Sequence, residues 1–402
     1  YDFSSSRSTN KRYIYDADAS GNYTVLNDSL SSDFEVNTYR HTPNIGFNYD
    51  HEAWRINTNV GLLNTILQNE NLLNPANFDN TYNNLYLSAR VRYELERSKS
   101  ISVDYRTNAN TPSIRQLQPV ADRTNPLNIV VGNPALRPAY SHNIGANFRS
   151  FNFGAGGGSG IFSSFDLSFT ENQVVSVSTI GDDLRRTTTY ANVDGAMSAG
   201  ARIFYTKSSR KEEKEFRYNF TLRGNFSRNV GFTNGTLFNS ERFSLSPGVR
   251  MTYAIQEVFE VNPSYNLTYN DTRYSINENR NEDFINHRVG FEATTFWPKN
   301  VIFGNDISYN YNGNVSPGFQ NSSILWNTSL GYQFLDEKAT LKLKVYDVLD
   351  QVVDTRRIIG DDYIQDTNSL ILTQYAMLSF TYKLSNFGGQ SGNRRGGPPR
   401  RR

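Results

Sequence analysis

Four groups of residues in this 402-residue chain have types and spacings that could do chemistry. The first is YDADASGNYTVLND, residues 15–28, where Asp16, Asp18, Ser20 and Gly21 match the D-x-D-x-S-G opening of a calcium loop. Its twelfth position is Asn27 rather than the bidentate Glu such a loop needs, and no helical pattern flanks it. A polar loop built from turn residues is therefore the better reading. The second is GAGGGSG, residues 154–160. A glycine loop that cradles phosphate must open a helix. Here IFSSFDLSF follows, which alternates as a strand does, so the glycines are expected to form a flexible turn. The third is the set of four histidines, His41, His51, His142 and His287. No two of them stand at i, i+2 or i, i+4, so no metal-ligand spacing exists. The chain has no cysteine, which removes disulfides, thiolate metal sites and thiol nucleophiles. With no G-x-S-x-G elbow to nominate a serine, the expectation is a chain that is not an enzyme and holds no metal or cofactor.

The fourth group is the largest. Arg55, Arg90, Arg92, Arg106, Arg217, Arg223, Arg250 and Arg288 recur in phase with one another, and Glu94, Glu260, Glu292 and Asp306 share their phase. One reading is a network of paired charges along a water-filled wall. The other is a surface that meets a plug or an anionic solute. The set assigned to the lumen is Arg90, Arg92, Arg106, Arg223, Arg250, Arg288, Glu260 and Glu292.

What positions these residues is a period of two, repeated along the whole chain. Phe243, Leu245, Pro247, Val249, Met251, Tyr253 and Ile255 fall on one face, and Ser244, Ser246, Gly248, Arg250 and Thr252 on the other. Residues 259–270 and 324–334 do the same. Successive side chains of a strand point to opposite faces, so each run is a strand with one apolar and one polar side. About sixteen such strands can be read, among them 33–49, 161–177, 186–206 and 371–384, each longer than the roughly 9–11 residues that cross a bilayer. Their connections alternate between short (such as 154–160 and 207–215) and long (7–32, 69–81, 107–139 and 349–370), with some modest ones such as 232–240. Antiparallel up-and-down strands with turns at one end and functional loops at the other give this pattern. Loops 107–139 and 349–370 are too long for plain connections, and ligand contact is expected there.

The apolar faces need a cover, and no helical segment is available to supply it. An all-β transmembrane barrel solves both problems, because lipid covers the outside and closure removes the edges. Mean hydropathy of −0.60 is compatible, since alternation averages out. Aromatics Trp54, Phe216, Phe259, Trp297 and Phe334 lie near the short turns, as an interfacial girdle would. A net charge of +2 gives no ground for a nucleic-acid partner. Residues 388–402, rich in Gly, Pro and Arg, read as a disordered tail after a barrel spanning 1–387. The opening YDFSSSR reads as strand rather than as a leader, so a piece of a longer chain is expected.

Two stretches carry a family resemblance. GNPALRPAYSHNIGANF, residues 132–148, resembles the G-N-P-x-L-x-P-E motif and following N-x-x-x-G of TonB-dependent receptor barrels, with Ala139 where Glu is common. LKLKVYDVLDQ (341–351) and YIQDTNSLILTQYAMLSFTYKLSNFGG (363–389) are similar to the end of a related Bacteroidota-type outer-membrane β-barrel family. The resemblance implies a bacterial outer-membrane location with a periplasmic C-terminus, and a barrel of about 22 strands of which about sixteen are present. It implies uptake of a solute, with a plug domain and a TonB-type energy-coupling protein as partners. Alternatives are a passive porin-like channel, and a structural or adhesin barrel or assembly subunit working with a surface lipoprotein.

Overall fold

The structure is a computed structural model. It describes the chain except residues 29, 74–76, 120, 277, 317, 352–353, 360–363, 370–372 and 384–402. The tail assigned to 388–402 and the domain boundary at 387 lie outside the described residues.

Nearly every element is a strand. In chain order they begin with β1 (Asp2–Arg12), β2 (Tyr15–Ala17), β3 (Tyr23–Leu26), β4 (Ser32–Thr42), β5 (Asn44–His51), β6 (Trp54–Asn71), β7 (Phe78–Glu96) and β8 (Lys99–Asn110). A one-turn helix α1 (Ile114–Leu117) follows, then β9 (Asp122–Asn125), β10 (Asn128–Val130), β11 (Ala139–Gly154), β12 (Gly157–Glu171), β13 (Gln173–Ile180) and β14 (Arg186–Val193). Next come β15 (Ala196–Lys211), β16 (Lys214–Thr233), β17 (Thr236–Ile255), β18 (Phe259–Tyr274), β19 (Glu282–Thr295) and β20 (Val301–Asn312). The chain continues through β21 (Ser322–Phe334), β22 (Ala339–Tyr346), β23 (Asp354–Ile359), β24 (Ile364–Ser369) and β25 (Tyr375–Tyr382).

One 17-stranded sheet holds the molecule together. Its strands pair antiparallel with their neighbours in sequence, from β1 through β4, β6, β7, β8, β11, β12 and β15 onward to β25. β4 and β5 both pair with β6 and are two halves of one pass, broken at Pro43. The wall therefore makes sixteen passes, as the alternation implied. The single strand expected over 33–49 is corrected by that break, since proline has no N–H to give a ladder.

Two more expected strands prove to be a wall strand plus a loop strand. The run 161–177 divides at Asn172, whose φ is +53°, and 186–206 divides at Gly195, whose φ is +99°. Beyond these points β13 and β14 leave the wall and pair with each other, and β14 pairs in parallel with β10. Alternation continues through both breaks, which is why periodicity alone could not find them.

The turns are tighter than expected. The 154–160 turn shrinks to two residues, 155–156, and Gly157 already pairs in β12. Its φ is +113°, and a Cβ there would sit 2.2 Å from the Ser208 carbonyl oxygen, so only glycine fits. Segment 207–215 shrinks to 212–213, and 232–240 to Asn234–Gly235. The last two have φ of +47° and +74°, as a type I′ hairpin turn requires.

The register carries one face unbroken across the sheet. The outward apolar face includes Val60 (56% exposed), Leu330 (55%) and Phe291 (45%). So much apolar area on one continuous face needs a cover, and none of the described elements supplies it. Aromatics line its short-turn edge, with Trp54 and Tyr93 rings 4.6 Å apart and Tyr253 and Phe259 5.7 Å apart. A second aromatic row lies toward the long loops. There His142 stacks on Phe169 at 4.8 Å, and His287 meets Tyr311 edge-on at 5.0 Å. From Phe259 to Leu267, which faces His287, is eight residues, or about 26 Å along the strand. At the 35–45° tilt of membrane-barrel strands this is roughly 20 Å of height, comparable with the roughly 25 Å apolar band of outer-membrane barrels.

No pairing that would close the sheet is seen among the described residues. Among the described residues β1 pairs only with β4 and β25 only with β22. The seventeen strands form one large antiparallel sheet, as the all-β up-and-down reading implied.

Candidate functional site

The long loop after β8 does not wave free. Residues 111–119 and 121–138 fold back over the polar face at the long-loop end, placing Leu117 and Leu136 against Val36 and Leu67, all at most 4% exposed. Val36 and Leu67 lie on the polar face because Thr38 opposes Leu67 and Thr65 opposes Tyr82, in phase with Arg55 and Arg92. Tyr82, Ile114, Val174 and Tyr190 complete this small core. The GNPALRP residues are its frame. A Cβ on Gly132 would sit 2.3 Å from the Gln118 carbonyl oxygen, so the close approach needs glycine. Asn133 donates through Nδ2 to the Tyr190 carbonyl at 3.0 Å, and its Oδ1 accepts the Ala135 N–H at 3.0 Å. The Tyr82 hydroxyl donates to the Leu136 carbonyl at 3.1 Å. Asn192 exchanges two bonds with the Arg137 backbone, at 2.8 and 2.9 Å. The loop thus becomes part of the mouth, and β11 starts at Ala139, which is buried.

Loop 349–370 contains the hairpin β23–β24. Asp366 pairs with Arg357 at 3.0 Å and accepts the Ser316 hydroxyl. That hydroxyl first, and then the guanidinium, hold its carboxyl below the usual range. In the β2–β3 hairpin Asp18 accepts the N–H groups of Ser20 (2.8 Å) and Asn22 (3.0 Å) and the Thr24 hydroxyl (2.7 Å). These bonds, led by Thr24, lower its pKa. Its oxygens serve the turn. Among the described residues no cluster of three potential metal ligands occurs. His41, His142 and His287 lie on the apolar face among aromatic rings, with Phe3 5.0 Å from His41.

All eight residues assigned to the lumen share the polar face by register. Arg92 opposes Ser102, Arg90 opposes Asp104 and Arg106 opposes Asn143. Arg223 opposes Ser246, Arg250 opposes Ser264, Arg288 opposes Asn266 and Glu292 opposes Asn262. Glu260 opposes Ala254 and accepts from Asn262 at 2.8 Å. The structure brings only some of them into pairs. Arg92 and Arg55 share Glu94 at 3.1 and 3.4 Å, and Arg250 reaches Glu292 at 3.6 Å. Among the described residues Arg90, Arg106, Arg223 and Arg288 have no carboxylate within 4.0 Å. Arg288 instead lines a cavity of about 320 Å³ with Asn266, Asn286, Asn310 and Asn312.

Sequence reasoning passed over Arg149 and Arg202, although both are in phase with the polar face. Phe162 and Phe204 were also missed. Phe162 opposes Arg149 and Phe204 opposes Phe162 on that same face, and their even phase, shared with Ser164 and Arg202, was the signal that could have found them.

Comparison with known proteins places this geometry. No curated protein matches the chain. The ferric-catecholate import receptor Fiu of E. coli K12, in its open form, is 10% identical with a TM-score of 0.37, covering 87% of this chain and 63% of Fiu. The outer-membrane transporter YddB of Escherichia coli is 8% identical at TM-score 0.25, covering 95% and 72%. OccK2 of Pseudomonas aeruginosa, crystallised with glucuronate, is 11% identical at TM-score 0.24, covering 95% and 99%. The chain spans 63% of the Fiu chain's length, and likenesses of this order carry no argument for function. The family model described as "Outer membrane protein beta-barrel family" matches residues 1–255 and 240–382. With its lipid-sized apolar band, its aromatic rows and that match, the chain belongs to the outer membrane protein β-barrel family.

Proposed function

We propose that the chain is the wall and extracellular loops of a TonB-dependent receptor that takes up a solute across the outer membrane. The carrying observation is that sixteen passes pair in series while, among the described residues, no ladder joins β1 to β25. Barrels of 16–18 strands leave an aqueous channel, whereas 22-stranded transporters have a plugged lumen. A sheet that stays open at sixteen passes supports the wider kind over a porin-like channel. The folded loop over the mouth is consistent with gated rather than free passage. In this reading the polar face lines the lumen and the short turns and C-terminus are periplasmic. A plug domain and an inner-membrane energy-coupling protein are the partners, and the chain does no catalysis.

The test is conductance and uptake by the full-length protein. The expected result is no steady large conductance in planar bilayers, with uptake that stops when the TonB-type partner is deleted. Steady open-channel current, or uptake indifferent to that deletion, would overturn the reading.

A further inference from the structure

Arg92, Arg149 and Arg202 line one cavity of about 410 Å³ on the polar face, with hydroxyls of Ser100, Ser102 and Ser164 around it. One row of directly opposed residues crosses the wall here: Arg92, Ser102, Asn147, Ser164, Arg202 and Arg223. Small residues fill the middle of the row and guanidiniums its flanks. Arg202 and Arg223 face each other directly across β15 and β16. Like charges so placed destabilise a sheet unless something offsets them. Among the described residues no carboxylate lies within 4.0 Å of Arg149, Arg202 or Arg223. Glu94 takes one nitrogen of Arg92, while the Arg92 Nε is buried without a hydrogen-bond partner. The Ser100 hydroxyl accepts the Arg149 Nε–H at 2.9 Å and fixes that side chain. Phe162 and Phe204, on the same face, line the same cavity with ring centroids 6.2 Å apart.

We infer that this cavity binds a small organic carboxylate carried on a planar ring. The guanidiniums meet the oxyanion in the bidentate geometry they favour. The ring lies against the phenylalanines, and the anion offsets the Arg202–Arg223 repulsion. The site lies on the route proposed for the solute and rests on this face being a wetted wall.

The probe is 4-fluorobenzoate, followed by ¹⁹F line broadening with the purified full-length protein in detergent at constant ionic strength. Saturable broadening that benzoate displaces at least tenfold better than acetate is expected. Arg202→Ser and Arg149→Gln should each weaken binding at least tenfold, and Phe204→Leu roughly threefold. Arg185→Gln, in the loop hairpin, should bind as the parent does. Heat-modifiable gel mobility checks folding, and Arg202→Gln serves if the serine variant fails that check. Broadening that does not saturate, equal competition by acetate, or undiminished binding in folded Arg202 variants would each overturn the site. Uptake and conductance are read separately, so absent binding with intact TonB-dependent uptake removes the site and leaves the receptor reading standing.

Discussion

At the scale of single residues, phase decides cost. Phe291 points outward at mid-strand, so Phe291→Arg places a charge in hydrocarbon and should cost about 2–4 kcal/mol. Asn266, one strand away and in phase with Arg288, faces the polar side. Asn266→Arg should cost far less. Equilibrium folding into lipid vesicles measures both, and equal costs would overturn the face assignment. Asp18 offers a second check. Its folded pKa is depressed, so its contribution to the β2–β3 hairpin is complete above the ordinary carboxylate range and lost as pH falls through the folded value. The protection factors of the Ser20 and Asn22 amides, with the intrinsic pH dependence of exchange divided out, should therefore fall on acidification, and Asp18→Asn should flatten that response.

At the scale of elements, the mouth loop is held by a core of its own. Leu136→Ala removes a side chain that is 2% exposed and should cost about 2–5 kcal/mol locally. Because the wall ladders do not depend on that core, the loss should appear as faster proteolysis within residues 111–138 with wall strands still protected. This element also shows what could be read in advance. GNPALRP was recognisable as the place where a loop re-enters a strand. Its packing partners Val36, Leu67 and Val174 are far away in sequence, and nothing local marks them as facing a loop. The breaks at Pro43, Asn172 and Gly195 escaped for a related reason, since alternation runs straight through them.

At the scale of the whole molecule, the edges of β1 and β25, unpaired among the described residues, can be probed by cross-linking. The chain has no cysteine, so introduced pairs report cleanly. Lys342 and Ser379 are directly opposed, and a cysteine at each should cross-link on mild oxidation. Cysteines at Ser6 of β1 and Thr381 of β25 should not, because among the described residues those two strands do not pair with each other. A cross-link there would mean the sheet closes at sixteen passes and would favour the porin-like alternative.

The sequence by itself determined the strand class, the number of passes, the apolar and polar faces and the alternation of short and long ends. All of these follow from local stereochemistry, since a period of two writes the orientation of each side chain into its position. Only the tertiary structure decided the open edges, the loop folded into the mouth, and which charges pair. Arg92 and Glu94 meet, and Arg202 faces Arg223 with no carboxylate beside it among the described residues. Such contacts depend on inter-strand register, which a one-residue slip would rearrange, and register is set by turns and packing summed over the whole wall.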